Sequence, residues 1–273
     1  MPLNFLQFDF EPHSKEEAER LIALLSEQGF DGFIEEGMTL VAFISEGSFN
    51  AEAFEKILEK FAILAYSKTI IENINWNQKW EEEFQPVVVD SFAGIRAHFH
   101  KPIKKVKYEI VITPKMSFGT GHHATTYMMI QLMEKLDFKG KRVLDFGTGT
   151  GVLAILAEKM GARSVIAIDN DDWSIENAIE NCEKNNCTSI TLQKANAINF
   201  KEEFDVVLAN INLNVILANM DAIAFACGKT AKVLLSGFLH TDEQAIVKAA
   251  GAVGIKKITL LKQKDWIAML CEK

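Results

Sequence analysis

The stretch VLDFGTGTGVLAILAEKMGA, residues 143–162, passes from apolar residues of strand type into glycines at three alternate positions, Gly147, Gly149 and Gly151, and then into an apolar segment of helical length. Glycine lets the backbone turn sharply and lets a bound molecule come close to the main chain. The helix beyond offers unpaired N–H groups and the positive end of its dipole. The next apolar run ends in Ile168-Asp169, 22 residues after Gly147, where a carboxylate can accept both hydroxyls of a ribose. Strand, glycine turn, helix and acid-ended strand predict a nucleotide-type ligand at the edge of a parallel sheet.

Glycine spacing alone leaves the ligand open. Gly149-x-Gly151-x-x-Ala154 also satisfies the dinucleotide pattern, with Asp169 20 residues beyond Gly149. Three other features favour S-adenosylmethionine. Asp145 stands just before the glycines, where it would repel a pyrophosphate and where methyltransferases use a carboxylate near the methionine part of the cofactor. Ala195-Asn196-Ala197 closes the third strand with an amide that can meet an adenine edge. Leu208-Ala209-Asn210-Ile211-Asn212 breaks an apolar strand with polar side chains. S-adenosylmethionine is therefore the expected cofactor; a nicotinamide dinucleotide and a nucleotide held without turnover are the alternatives.

Around this stretch helix and strand alternate. Helices are expected at 125–135, 151–160, 173–185, 213–226 and 241–252, and strands at 141–146, 164–169, 189–195, 204–209, 231–236, 255–261 and 265–271. The rhythm predicts an α/β fold, a Rossmann-like seven-stranded domain with a mostly parallel sheet. Only Lys262-Gln263-Lys264 separates the last two strands, a connection that makes an antiparallel hairpin and not a crossover.

The front of the chain reads differently. LNFLQFDF (3–10) is a strand, Ser14-Lys15-Glu16-Glu17 a capping box, and Ala18, Leu21, Leu24 and Leu25 one face of a helix that Gly29 stops. Strands at 32–36 and 38–45 turn at Gly37. A helix at 50–63 carries Phe54, Ile57, Leu58 and Phe61 on one stripe, and 66–73 is a last strand. The order β-α-β-β-α-β predicts a small α+β ferredoxin-like domain at 1–72, a fold that hosts many functions. Residues 73–85, with Trp76 and Trp80 four apart, read as a helical linker whose tryptophans dock on a neighbour. The second domain is then 86–273, opening with a small β element and a loop at 86–124. Lys101, Lys104, Lys105 and Lys107 of that element read as solvated strand edges.

A chain that is 48% hydrophobic and 24% charged is neither disordered nor collagen-like. No apolar run reaches the ~18–20 residues that span a bilayer, the start lacks the pattern of a secretory signal, and four cysteines in 273 residues do not make a disulfide framework. A cytoplasmic protein without membrane association is expected. The net charge of −8 is uneven: residues 1–72 hold 5 Lys/Arg against 14 Asp/Glu, whereas 91–130 hold 6 against 1. The acidic front argues against direct contact with nucleic acid and fits a basic partner.

KMSFGTGHHATT (115–126), the glycine stretch, AIDNDD (167–172) and LANIN (208–212) together resemble the methyltransferases that modify ribosomal protein eleven of the large subunit. FGTG, a histidine and TT ahead of the glycine loop are the more specific part. The resemblance covers the whole chain in architecture: ferredoxin-like domain, linker, methyltransferase domain. It implies a loop over the cofactor at 115–126 and cofactor contacts at Thr126, Gly147, Asp169 and Asn210, with Gly149 beside them in the loop. His123 holds the place of the family's histidine. No Cys or carboxylate set accompanies His122 and His123, so no metal is expected there.

The resemblance further implies N-methylation of the α-amine and lysine ε-amines of large-subunit ribosomal protein eleven, with the acidic domain as the substrate clamp, 73–85 as a hinge, and a monomer. An amine must lose a proton before it attacks a sulfonium methyl, which at pH 7 costs roughly 4–5 kcal/mol for lysine and about 1 for an α-amine. Catalysis by placement is expected, carbonyl groups around Asn210 and Ile211 accepting the amine's hydrogens. The alternatives are a methyltransferase of another protein, such as a release-factor glutamine, or of a small molecule, and a ribosome-associated module that binds S-adenosylmethionine without turnover. Asn210-Ile211-Asn212-Leu213 lacks the two prolines and the aromatic ring of the release-factor type.

Overall fold

The computed structural model describes residues 4–37, 39–60, 66–71, 84–115, 117–200 and 202–273. The chain divides into two compact units, Met1–Glu83 and Phe84–Lys273.

In the first unit, strands β1 (Phe5–Phe10), β2 (Gly32–Glu36), β3 (Thr39–Ser45) and β4 (Tyr66–Ile71) alternate with helices α1 (Lys15–Glu27) and α2 (Ala51–Lys60). The sheet order is β2-β3-β1-β4, with every neighbour antiparallel. Ser14 Oγ accepts from the Glu17 N–H at 3.2 Å, and Glu17 Oε2 accepts from the His13 N–H at 2.6 Å, one residue before the cap. Period-two alternation turns Leu6, Phe8 and Phe10 inward, where they meet Leu21 and Leu25 of α1 and Phe54 of α2. The Phe8 and Phe54 ring centroids are 4.5 Å apart. Phe61 and residues 72–83, hence most of the expected linker with Trp76 and Trp80, lie outside the described residues.

The second unit opens with β5 (Val87–Val89), β6 (Ala93–Ala97) and β7 (Tyr108–Ile112), a three-stranded sheet in that order. Then follow α3 (Ala124–Glu134), β8 (Arg142–Phe146), α4 (Val152–Lys159), β9 (Ser164–Asp169), α5 (Asp172–Lys184), β10 (Ile190–Lys194) and β11 (Phe204–Asn210). The chain ends in α6 (Leu213–Ala218), α7 (Met220–Ala226), β12 (Cys227–Leu239), α8 (Glu243–Ala252), β13 (Lys256–Gln263) and β14 (Trp266–Glu272). The large sheet has the order β10-β9-β8-β11-β12-β14-β13. Its first five strands are parallel, and β14 runs antiparallel between β12 and β13. This is an α/β fold on a seven-stranded mixed sheet.

Each buried strand feeds two apolar layers. Val143 and Leu208 face the core shared with α3 and α4, while Leu144, Phe146, Val207 and Ala209 face the other core. Helix α4 is enclosed, with every residue from Val152 to Ala157 buried. The single helix expected at 213–226 is two. Asn219 leaves helical geometry at φ −107°, ψ 9°, and its Nδ2 donates to Val215 O at 2.9 Å; this local bond closes α6 and lets α7 restart. Strand β12 begins at Cys227 rather than 231, because Cys227 already pairs with Phe204 ahead of a register shift. No described helix is long and apolar enough to cross a membrane.

Candidate active site

Strands β8, β9 and β10 fan out one way, and β11 lies on the other side of β8. Loops leaving β8 and β11 therefore diverge and open a crevice at the C-terminal edge of the strands. A cavity of about 470 Å³ fills it.

The glycine loop forms one wall. The Gly147 and Thr148 N–H groups both donate to Ile168 O, at 2.9 and 3.0 Å, which curls the chain tightly over β9. Gly147 and Gly149 have φ of +78° and +53°; a Cβ on the first would overlap Ile211 Cγ2, and one on the second the Phe118 carbonyl oxygen. No residue with a side chain fits either place.

Asp169, at the end of β9, lies on the cavity wall. Its Oδ2 accepts from the Gly149 N–H at 2.9 Å and its Oδ1 from the Asp171 N–H at 3.1 Å. Both oxygens keep acceptor capacity after these bonds. Ala195 and Asn196, just past β10, continue the wall, and the Ala195 N–H donates to Asp169 O at 2.9 Å.

Asp145 is off the main cavity wall. It is buried beneath the loop, where Thr148 Oγ1 donates to its Oδ2 at 2.6 Å and its Oδ1 has no partner among the described residues. Burial pushes its carboxyl up to about 7 against the pull of the Thr148 bond. Period-two alternation gives the cavity wall to Phe146 instead. Asp145 thus supports the loop from below.

Asn210 and Ile211, at the end of β11, face the cavity from the other side. Asn210 is 7% exposed; its Nδ2 donates to Thr126 Oγ1 at 3.2 Å, and its Oδ1 has no partner among the described residues. Thr126, buried in the first turn of α3, stands behind Asn210 and off the main wall. The fold brings Gly147, Gly149, Asp169, Asn210 and Ile211 to one cavity and sets Thr126 behind Asn210, where it shares a small pocket with Gly147 and Asn210.

A family model described as Ribosomal protein L11 methyltransferase (PrmA) matches residues 12–273. The chain belongs to the ribosomal protein L11 methyltransferase family. It is 36% identical to the Ribosomal protein L11 methyltransferase of Phocaeicola vulgatus over 98% of each chain. It is 38% identical to that of Chlorobaculum parvum over 93% of this chain and 92% of the other. Among solved structures, a ribosomal protein L11 methylase from Lactobacillus delbrueckii subsp. bulgaricus matches with a TM-score of 0.64 and 27% identity, over 69% of this chain and 98% of that one.

Phe118 belongs to the loop expected over the cofactor, whereas Trp266 and Gly237, on the same wall of this family member, escape a reading of the sequence. Trp266 lies 56 residues beyond Asn210, yet β14 runs against β12, so its first residue arrives where the parallel strands end; Trp266 pairs with Leu239. Phe118 reaches the wall from the segment before α3. Gly237 sits at the register shift of β12 with φ +95°, and a Cβ there would overlap the Ile211 carbonyl. A lone glycine in the apolar run VLLSGFL (233–239) was a readable sign of such an approach.

His123 joins the aromatic residues. Its ring lies edge-on to Trp266 at 4.7 Å and tilted to Phe118 at 5.3 Å. Its Nδ1 accepts from the Thr125 N–H at 3.3 Å and so caps α3. Burial lowers its pKa, which keeps the ring neutral, as an accepting Nδ1 requires. His122 turns away: Nδ1 meets Thr120 Oγ1 at 3.1 Å and Nε2 meets Gln85 O at 2.8 Å.

Proposed function

We propose that this chain transfers methyl groups from S-adenosylmethionine to the α-amine and lysine ε-amines of ribosomal protein L11. The observation that carries the reading is the convergence of the glycine loop, Asp169 and Asn210 on one cavity, in a chain of this family. The wall fits the cofactor. Two glycines leave a cradle that side chains would fill, Asp169 keeps acceptor capacity for ribose hydroxyls, Asn196 offers an amide to adenine, and the buried Asn210 Oδ1 awaits a donor. Bound there, S-adenosylmethionine supplies an electrophilic methyl group.

The residues then prepare the nucleophile. Asp169 is the one charged residue on the wall among the described residues, and Phe118, Phe146, Ile211 and Trp266 make much of the rest. An amine entering such a wall loses water, which favours its neutral form. Asn210 Oδ1 and the carbonyls at 210 and 211 accept its N–H hydrogens and aim its lone pair. The rings of Phe118 and Trp266 suit the methylated ammonium that the neutral amine becomes when it takes the methyl group.

The first unit is the recognition domain, ferredoxin-like over 1–72, with 73–85 as the hinge and 86–273 as the methyltransferase domain. The strand order β2-β3-β1-β4 supports the fold, and 14 Asp/Glu against 5 Lys/Arg in residues 1–72 supports a basic protein substrate. A cytoplasmic monomer that touches no nucleic acid completes the reading.

The test is incubation with ribosomal protein L11 and methyl-labelled S-adenosylmethionine, with the label located by mass spectrometry. Label on the amino terminus and on lysines is expected. Label on glutamine alone, or none while S-adenosylhomocysteine still binds, overturns the assignment.

A further inference from the structure

Strand β7 is an edge of the three-stranded sheet, and α5 with its C-cap packs against it through a row of buried asparagines, Asn177, Asn181 and the cap residue Asn185, four residues apart. The Val111 N–H donates to Asn185 Oδ1 at 3.0 Å, and Asn185 Nδ2 donates to Val111 O at 2.6 Å. The Thr113 N–H donates to Asn181 Oδ1 at 2.8 Å, and Asn177 Nδ2 donates to Thr113 O at 3.0 Å. A carboxamide carries one acceptor and donors in the spacing of a peptide group, so the row continues the sheet with side chains. Apolar residues would bury the same helix face without the desolvation cost of three amides. What the row adds is register.

Asn181 extends that register to the cofactor loop. Its Nδ2 donates to Thr150 O at 2.9 Å. Thr150 in turn holds the segment ahead of α3: its N–H donates to Phe118 O at 3.0 Å and its Oγ1 to Gly119 O at 2.8 Å. One carboxamide thus grips Thr113, where the chain leaves β7, and Thr150, on which the same chain lands five residues later.

We propose that Thr150 and Asn181 are positioning residues: they lock Phe118 and Gly119 onto the glycine loop and so set the cavity wall against the cofactor. This rests on the cavity being the S-adenosylmethionine site. Neither residue lies on the main cavity wall; Thr150 lines a small pocket of about 10 Å³ beside it, and its bonds reach the main wall through Phe118 and Gly119.

The test uses the full-length protein and Thr150→Val, which keeps the backbone bonds and the shape but removes Oγ1. S-adenosylhomocysteine affinity is measured by calorimetry, kcat and KM by methyl transfer, and the exchange of the amides at 117–121 by mass spectrometry. The expected result is affinity weakened by about three- to tenfold, the span of one hydrogen bond. It comes with a raised KM for S-adenosylmethionine, little change in kcat, and faster exchange confined to 117–121. Thr150→Ser restores all three. Asn181→Asp, which keeps the acceptor for Thr113 and loses the donor to Thr150, gives the same pattern if it folds. Affinity and exchange in Thr150→Val equal to those of the unaltered protein overturn the proposal. If the unaltered protein fails to bind S-adenosylhomocysteine, the methyltransferase reading falls, and the exchange at 117–121 alone still decides whether Thr150 holds the segment.

Discussion

Asn210 Nδ2 donates to Thr126 Oγ1 at 3.2 Å, and that bond points the buried, unpartnered Oδ1 of the same side chain away from the helix. Thr126 thereby selects which end of the amide is left for a ligand. Asn210→Asp puts a carboxylate in that place. A carboxylate holds an incoming amine as ammonium, the wrong state for attack, and kcat falls by at least about tenfold, near 1.4 kcal/mol of barrier. Thr126→Val leaves Nδ2 unpaired and costs about 1–3 kcal/mol of stability, while Thr126→Ser is close to neutral. Steady-state rates and thermal unfolding of the three variants check this. Full turnover in Asn210→Asp removes the role assigned to it.

On the proposed function, substitutions on the two sides of the cavity are expected to affect binding and turnover differently. Gly149→Ala drives a Cβ into the Phe118 carbonyl, and S-adenosylhomocysteine affinity drops at least about tenfold. Gly237→Ala instead pushes on the Ile211 carbonyl, on the amine's side, so kcat falls while cofactor affinity stays nearly unchanged. Calorimetry alongside kinetics distinguishes them, and an equal loss of affinity in both contradicts the division.

Asp145 makes stability depend on pH. Its carboxyl rises from an ordinary 3.8 to about 7 through burial, so the folded chain holds this proton more tightly than the unfolded chain. Its contribution is full below pH 3.8 and is lost as pH climbs through about 7. The span amounts to on the order of 4 kcal/mol. Asp145→Asn keeps the shape and an acceptor for Thr148. Chemical denaturation at pH 5 and pH 8 is expected to show the variant gaining on the parent as pH rises. Parallel curves argue that Asp145 is charged in the fold at both values.

The acidic first unit predicts salt dependence. Charge complementarity acts on encounter rate more than on chemistry. Added monovalent salt lowers kcat/KM for ribosomal protein L11 by about tenfold and leaves kcat alone. Exposed Glu16, Glu19, Glu55 and Glu59 changed together to Gln reduce kcat/KM at low salt and flatten the dependence. A kcat/KM indifferent to salt in both proteins excludes electrostatic capture.

Much of the site was legible because its signals are local. A strand that runs into Gly147 and Gly149, and an acid that ends the next strand, declare themselves within a few residues of one another. The polar break after Leu208 marked Asn210 and Ile211 in the same way. Adjacency in sequence puts Asp145 beside the loop, and only strand alternation shows that its side chain lies under the loop and off the main wall. The helix expected at 213–226 was misread because an asparagine inside a helical pattern gives no sign that its side chain will bond back to Val215.

Periodicity and turn chemistry by themselves determined which segments are strands and helices, that the sheet is mostly parallel, and that a cavity opens beside the glycine loop. Only the tertiary structure decided who else reaches that place. Strand β14 entered between β12 and β13 and carried Trp266 to the active edge, Thr126 came to lie behind Asn210, and Asn181 tied Thr113 to Thr150. Side-chain periodicity states which face of an element is apolar, but not which partner covers it; that choice belongs to the packing of residues tens of positions apart, where no local pattern records it.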